Sequence, residues 1–137
     1  MADVTQSSRL VHPHDGANVK VVTAGTDCSA GNVLYKDTTD SNKYKPANAT
    51  TAAASILAAV ALTGATDGES MAIVTSGDVD VGGTLEPGMW YTNSTVAGNI
   101  KPCIDITGAY YFSMLGRATA ADKLSLAIVN TSTALST

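Results

Sequence analysis

Two stretches of this chain carry the same plan, at an offset of 55 to 57 residues. Ala30-Gly31-Asn32-Val33-Leu34-Tyr35 answers to Pro87-Gly88-Met89-Trp90-Tyr91, and Lys43-Tyr44-Lys45-Pro46 to Asn99-Ile100-Lys101-Pro102. Leu62 to Gly68 answers to Ala118 to Lys123, and Ala72-Ile73-Val74 to Ala127-Ile128-Val129. Gly25 and Gly31 fall opposite Gly82 and Gly88. Five matches in one register imply a diverged internal duplication. Two copies are too few for a solenoid. Two small sheets that close on each other hide edges that one would leave open.

The repeated unit is a β unit. Val19-Lys20-Val21-Val22-Thr23 and Val33-Leu34-Tyr35-Lys36 are β-branched or alternating runs. Asp37 to Asn42 is a turn cluster whose side chains bond their own backbone, so Val33 to Pro46 reads as a hairpin. Thr50 to Ile56 is Ala-rich and predicts one or two helical turns, capped by Asn48 or Thr50. Ile56 to Thr63 reads as a strand ended by Gly64, and Met71 to Thr75 as one ended by Gly77. Residues 1–17, broken by Pro13, Asp15 and Gly16, read as an extended N-terminal arm. The expected fold is mainly β: a small barrel or sandwich of two pseudo-repeated units, about 18–77 and 78–130. They form a single domain over 18–137 with one short helix.

Charge narrows the function. The chain has eight Lys plus Arg against twelve Asp plus Glu, and its cations are scattered. Nucleic-acid binding needs clustered cations to release counterions from phosphate, and an anionic membrane needs the same. Neither is expected as a partner. No apolar run reaches the length of a membrane span, and Met1 to Arg9 lacks the cationic and apolar regions of a signal peptide. Cys28 and Cys103 lack ligand spacing and read as small buried side chains, with a disulfide left open.

No constellation points to catalysis. His12 and His14 flank Pro13 but have no third ligand nearby, so no metal or cofactor is expected. With no other histidine, a Ser-His or Cys-His pair would require the arm to fold over the body. Val81-Gly82-Gly83-Thr84 lacks the spacing of a phosphate cradle. Asp78 and Asp80 share one face of a strand, as a carboxylate pair would, but a sugar cleft also needs exposed aromatics. The chain has one Trp and one Phe. No catalytic residue is assigned. Arg117, alone in an apolar run, is expected to answer a carboxylate.

One further pattern is the order Gly83-Thr84-Leu85-Glu86-Pro87-Gly88-Met89-Trp90-Tyr91, then Gly98-Asn99-Ile100-Lys101-Pro102, then Gly116-Arg117-Ala118. It resembles small head-decoration, or cement, proteins of tailed bacteriophages, over roughly residues 18–130. The resemblance implies a non-enzymatic virion protein, made in the host cytoplasm and bound to the outer surface of an icosahedral capsid. Its partners would be the major capsid protein and itself, as a homotrimer. Interface residues expected from the sequence are Arg9, Leu10 and Val11 of the arm, with Trp90 and Tyr110 of the body, since Trp and Tyr favour interface centres. A phage fibre or tail component and a carbohydrate-binding adhesion module are the alternatives.

Overall fold

The computed structural model describes residues 6, 11–14, 16–49, 53–94, 96–102 and 110–135, without the side chains of 53, 110–112 and 130–135. The fold is mainly β, an open curled antiparallel sheet forming a half-barrel. Its strands are β1 (His12–Pro13), β2 (Asn18–Thr23), β3 (Val33–Asp37), β4 (Lys43–Pro46), β5 (Leu57–Ala61), β6 (Ser70–Asp80), β7 (Trp90–Asn93), β8 (Ile100–Pro102), β9 (Tyr110–Ala120) and β10 (Lys123–Leu135). A short 3-10 helix lies at Ala53–Ser55, inside the segment expected to be helical.

The strand order is β4-β3-β5-β6-β10-β9-β7-β8, with β1 and β2 also paired to β6. It reads the same from both ends: β4-β3-β5-β6 is matched by β8-β7-β9-β10. Backbone pairing repeats in detail. Val33 faces Val60 and Trp90 faces Arg117, and both partners advance by the same step, 33 to 90 and 60 to 117. A register shift follows Leu34 in one unit and its counterpart Tyr91 in the other. Gly31 N–H donates to Ala61 O at 2.8 Å and Gly88 N–H to Ala118 O at 2.7 Å. Ala61 N–H donates to Asn32 O at 2.8 Å and Ala118 N–H to Met89 O at 2.9 Å.

The last strand departs from the sequence alignment. Val74 faces Val60, but the residue facing Arg117 is Ser125, not Ile128 or Val129. The connection explains this. Leu62 to Glu69 separates β5 from β6, whereas β9 turns into β10 through Ala121 and Asp122 alone. Register shifts along β10 take up the difference.

Gly77 does not end a strand, as its sequence position suggested; β6 runs through it to Asp80. It marks a change of neighbours. Ser70 to Ser76 pair with β2, while Gly77 to Val79 pair with β10 and Val79 and Asp80 with β1. The chain at Gly16 and Ala17 crosses directly over it. A Cβ at Gly77 would lie 2.6 Å from the Ala17 Cα and 2.7 Å from the Gly16 oxygen, and its φ is +94°. Only glycine meets both demands.

Equivalent faces of the two units are used differently. In the first, Val33, Leu57, Val60 and Val74 join the larger core, while Leu34, Ala59, Ala61, Met71 and Ile73 form a smaller one. The smaller core is closed by the segments around Cys28 and Ala65, which exchange backbone hydrogen bonds of 2.8 and 3.0 Å. In the second unit Tyr91, the counterpart of Leu34, lies in the larger core with Leu115, Ala118, Leu124 and Leu126. Trp90 and Arg117, the counterparts of Val33 and Val60, are exposed. The outer wall of the first unit therefore completes the inside of the second. Each fully buried Val or Leu in that wall contributes roughly 1.5–3 kcal/mol.

The β3–β4 hairpin is tied by charge. Lys45 Nζ lies 2.8 Å from Asp37 Oδ2 and 3.1 Å from Asp40 Oδ2. The hydrogen bond from Lys45, then those from the Thr39 hydroxyl and N–H, hold the Asp37 pKa down at about 2. A carboxyl lowered on folding adds stability above its unfolded pKa, roughly 3.9, and loses it as pH falls through the folded value. NMR titration of Asp37 should give a midpoint near 2. In Asp37→Asn the extra loss of stability between about pH 4 and pH 2 should disappear; an Asp37 midpoint near 4 would contradict the contact.

Candidate protein interface

The second unit presents a sheet wall to solvent. One cross-strand row runs Trp90, Arg117, Ser125, Asp78, over β7, β9, β10 and β6. Opposed residues of an antiparallel pair share a face, so these four side chains stand on one side. A second row runs Thr92, Met114, Val129. Trp90 is 38% exposed and Val129 56%. Thr92 is fully buried, so the open part of the wall lies around Trp90, Arg117 and Val129. Such a combination of indole, guanidinium and apolar side chains suits a protein contact more than a reaction.

Arg117 departs from expectation. Among the described residues no carboxylate lies within ion-pair distance of it. One guanidinium nitrogen instead lies over the Pro87-Gly88 turn, 3.9 Å from where a Gly88 Cβ would stand. The reason is its place in the repeat: Arg117 occupies the wall position that Val60 fills in the first unit, with the wall facing outward. Sequence reasoning also passed over Met114 and Val129. Their signal was the pairing of β9 with β10, which alternation alone does not supply.

The expected interface residues fall in different places. Trp90 stands on the exposed wall. Tyr110 begins β9, and its side chain lies outside the described residues. Arg9 and Leu10 also lie outside them. Val11 is half-buried against the body, with its Cγ2 3.2 Å from where a Gly31 Cβ would sit.

The arm is not free along its whole length. His12 and Pro13 pair with Asp80 and Val79, and His14 N–H donates to Asp78 O at 2.9 Å. Nε2 of Gln6 donates to the oxygens of Gly31 and Val81, both at 2.8 Å, and so bridges the two units. These contacts are mainly main-chain and amide hydrogen bonds, which no apolar pattern in the sequence signals.

The histidines serve that seam. His12 Nδ1 lies 3.8 Å from Asp80 Oδ2, and His14 Nε2 lies 3.1 Å from the Asp122 oxygen. Asp80 also accepts from the Gly82 N–H at 2.8 Å. Among the described residues no three His, Cys, Asp or Glu side chains converge as a metal site would require. Cys28 is a buried free thiol whose pKa is raised by desolvation and then by Asp27, so at neutral pH it is protonated and a poor nucleophile. Cys103 lies outside the described residues.

An open groove beside β4 is lined by Gly25, Thr26, Tyr35 and Lys45. Lys45, the one cation among its described lining residues, is already engaged by Asp37 and Asp40. Among the described residues no helix is long and apolar enough to cross a membrane. No family model matches the chain, and no curated protein matches it.

Proposed function

We propose that this chain is a capsid cement protein: a structural, non-enzymatic component that binds the outer surface of a tailed-phage head and stabilises it. The carrying observation is the exposed Trp90–Arg117 wall, set on a β body at positions that the first unit buries. The turns behind the resemblance support the same reading. Leu85 of the Gly83–Gly88 turn is buried in the larger core, and Gly88 takes φ +88°. These motif residues shape the wall's edge.

The partners are the major capsid protein and further copies of this chain, as a three-fold oligomer. An oligomer that engages several capsid subunits gains effective concentration without stronger single contacts. An acidic surface also avoids the packaged nucleic acid. Neither nucleic acid nor membrane is a partner in this reading.

The test is retention on heads. Purified protein is added to DNA-filled heads of the phage that encodes it, stripped of the protein, and the heads are sedimented. Saturable binding and a raised temperature of DNA release are expected. Trp90→Ala should weaken binding by at least about tenfold, the loss of a modest anchor. Deleting residues 2–14 should weaken it too while the body stays folded. Binding to tails or to host-surface glycans, with none to heads, would favour the fibre or adhesion reading instead.

A further inference from the structure

Among the described residues four strands have a single strand neighbour: β1, β2, β4 and β8. An unpaired edge is a template for another chain, and natural edges are blunted by shortness, proline or charge. Three of these four are blunted. β1, β4 and β8 run two, four and three residues, and each ends in proline, at Pro13, Pro46 and Pro102. Proline gives a ladder no donor. β2 is the exception, with six residues from Asn18 to Thr23 and no proline. Just past its end Ala24 bridges Tyr44 of β4, but Asn18 to Thr23 pair with β6 alone among the described residues.

The side chains of β2 define what would complete it. Val19 and Val21 share a face, and they are 51% and 70% exposed. Val19 is the open end of a cross-strand row whose other members, Val33, Val60 and Val74, are fully buried. A strand laid along the free side of β2 would continue that row and take both valines out of water. Lys20 stands on the other face, opposite Ile73. It is exposed, and among the described residues no carboxylate lies within ion-pair distance of it. A carboxylate directly across from it on an added strand would answer it.

We infer that β2 is a strand acceptor: an extended segment of a partner protein, reading apolar, acidic, apolar, adds antiparallel to its free edge. Main-chain hydrogen bonds supply the attachment. The acidic residue opposite Lys20, between β-branched residues opposite Val19 and Val21, sets the register. A second copy of β2 is the poorer occupant, because β2 carries no carboxylate and two copies would leave both Lys20 ammonium groups unanswered. The site is separate from the Trp90–Arg117 wall: β2 pairs with Ser70 to Ser76, whereas the wall meets β6 at Asp78. It holds independently of the cement reading.

The probe is a capped synthetic peptide, Ser-Thr-Val-Glu-Val-Thr-Ser, titrated into the full isotope-labelled chain and followed by NMR. Saturable shifts of the β2 amides are expected, with slowed solvent exchange at alternate residues from Asn18 to Thr23. Replacing the peptide's glutamate by lysine should weaken binding about fivefold. In Lys20→Glu that preference should reverse, with unchanged circular dichroism because the position is exposed. A peptide with proline for its second valine should not bind, since pairing needs the main-chain donor. Absence of binding at millimolar peptide, shifts centred away from β2, or equal binding of the glutamate and lysine peptides would overturn the inference. So would β2 amides that become protected with rising protein concentration and no peptide, which would make a second copy the occupant.

Discussion

Gly77→Val should be among the most damaging single substitutions in this chain, costing roughly 2–6 kcal/mol. Two effects combine. A β-branched residue at positive φ is strained by about 1–3 kcal/mol. Its Cβ would also press on the backbone of Ala17 and Gly16, at 2.6 and 2.7 Å, and overpacking against groups that cannot yield costs about 1–3 kcal/mol more. For a chain of this size the thermal midpoint should fall on the order of 10–20 °C. Gly68→Val separates the two terms. Gly68 has φ +87° but nothing within 4 Å of its would-be Cβ, so it carries strain alone and should cost about 1–3 kcal/mol. Equal losses at the two sites would show that the crossing over Gly77 is not tight.

Val60→Asp and Arg117→Asp form the second test, because they place one residue type at equivalent positions of the repeat. Val60 is fully buried in the core shared by both units. A carboxylate there has no partner, and burying an unpaired charge costs several kcal/mol. Val60→Asp is expected to leave the chain unfolded or nearly so, since a domain holds only about 5–15 kcal/mol in total. Arg117→Asp lies on the exposed wall and should stay within about 1 kcal/mol of the wild type. Its effect should appear in association instead. Denaturant unfolding of both variants decides the matter. Similar losses at the two sites would mean that the units are used alike and that the wall of the second is not free.

Much of this fold was legible in the sequence, and for physical reasons. Strand alternation and turn chemistry are local, so Val19 to Thr23, the Asp37 to Asn42 turn and the short helix before β5 could be placed from composition and spacing. The offset of 55 to 57 residues was visible because glycines at special turns and the residues beside them keep their spacing: Gly31 and Gly88 each donate to an alanine near the end of a paired strand, Ala61 and Ala118. The use of each face was not legible. Val33 and Trp90 are equivalent in pairing, yet one is buried and the other exposed. That difference depends on how the units stack, which no local pattern encodes. The same gap hid the role of Arg117, expected to meet a carboxylate and found on an open wall. Gly77 was read as a terminator because glycine weakens strands. In the fold it is where a close backbone crossing and a change of strand partners coincide.

The described arm residues teach a related lesson. Residues 1–17 offered little apolar surface, and the entropy of ordering a backbone is roughly 1–2 kcal/mol per residue. Even so, Gln6 spans Gly31 and Val81, and His12 and Pro13 extend the sheet beside β6. Covering that edge also removes a site for unwanted strand pairing.

Electron cryo-microscopy of heads from the phage that encodes this chain is the most direct test of the cement function. The account predicts density of this fold on the outer capsid surface at local three-fold positions, lost when the gene is deleted and regained when purified protein is added back. Heads that look the same with and without the gene, or the same density found in the tail or fibres, would contradict it.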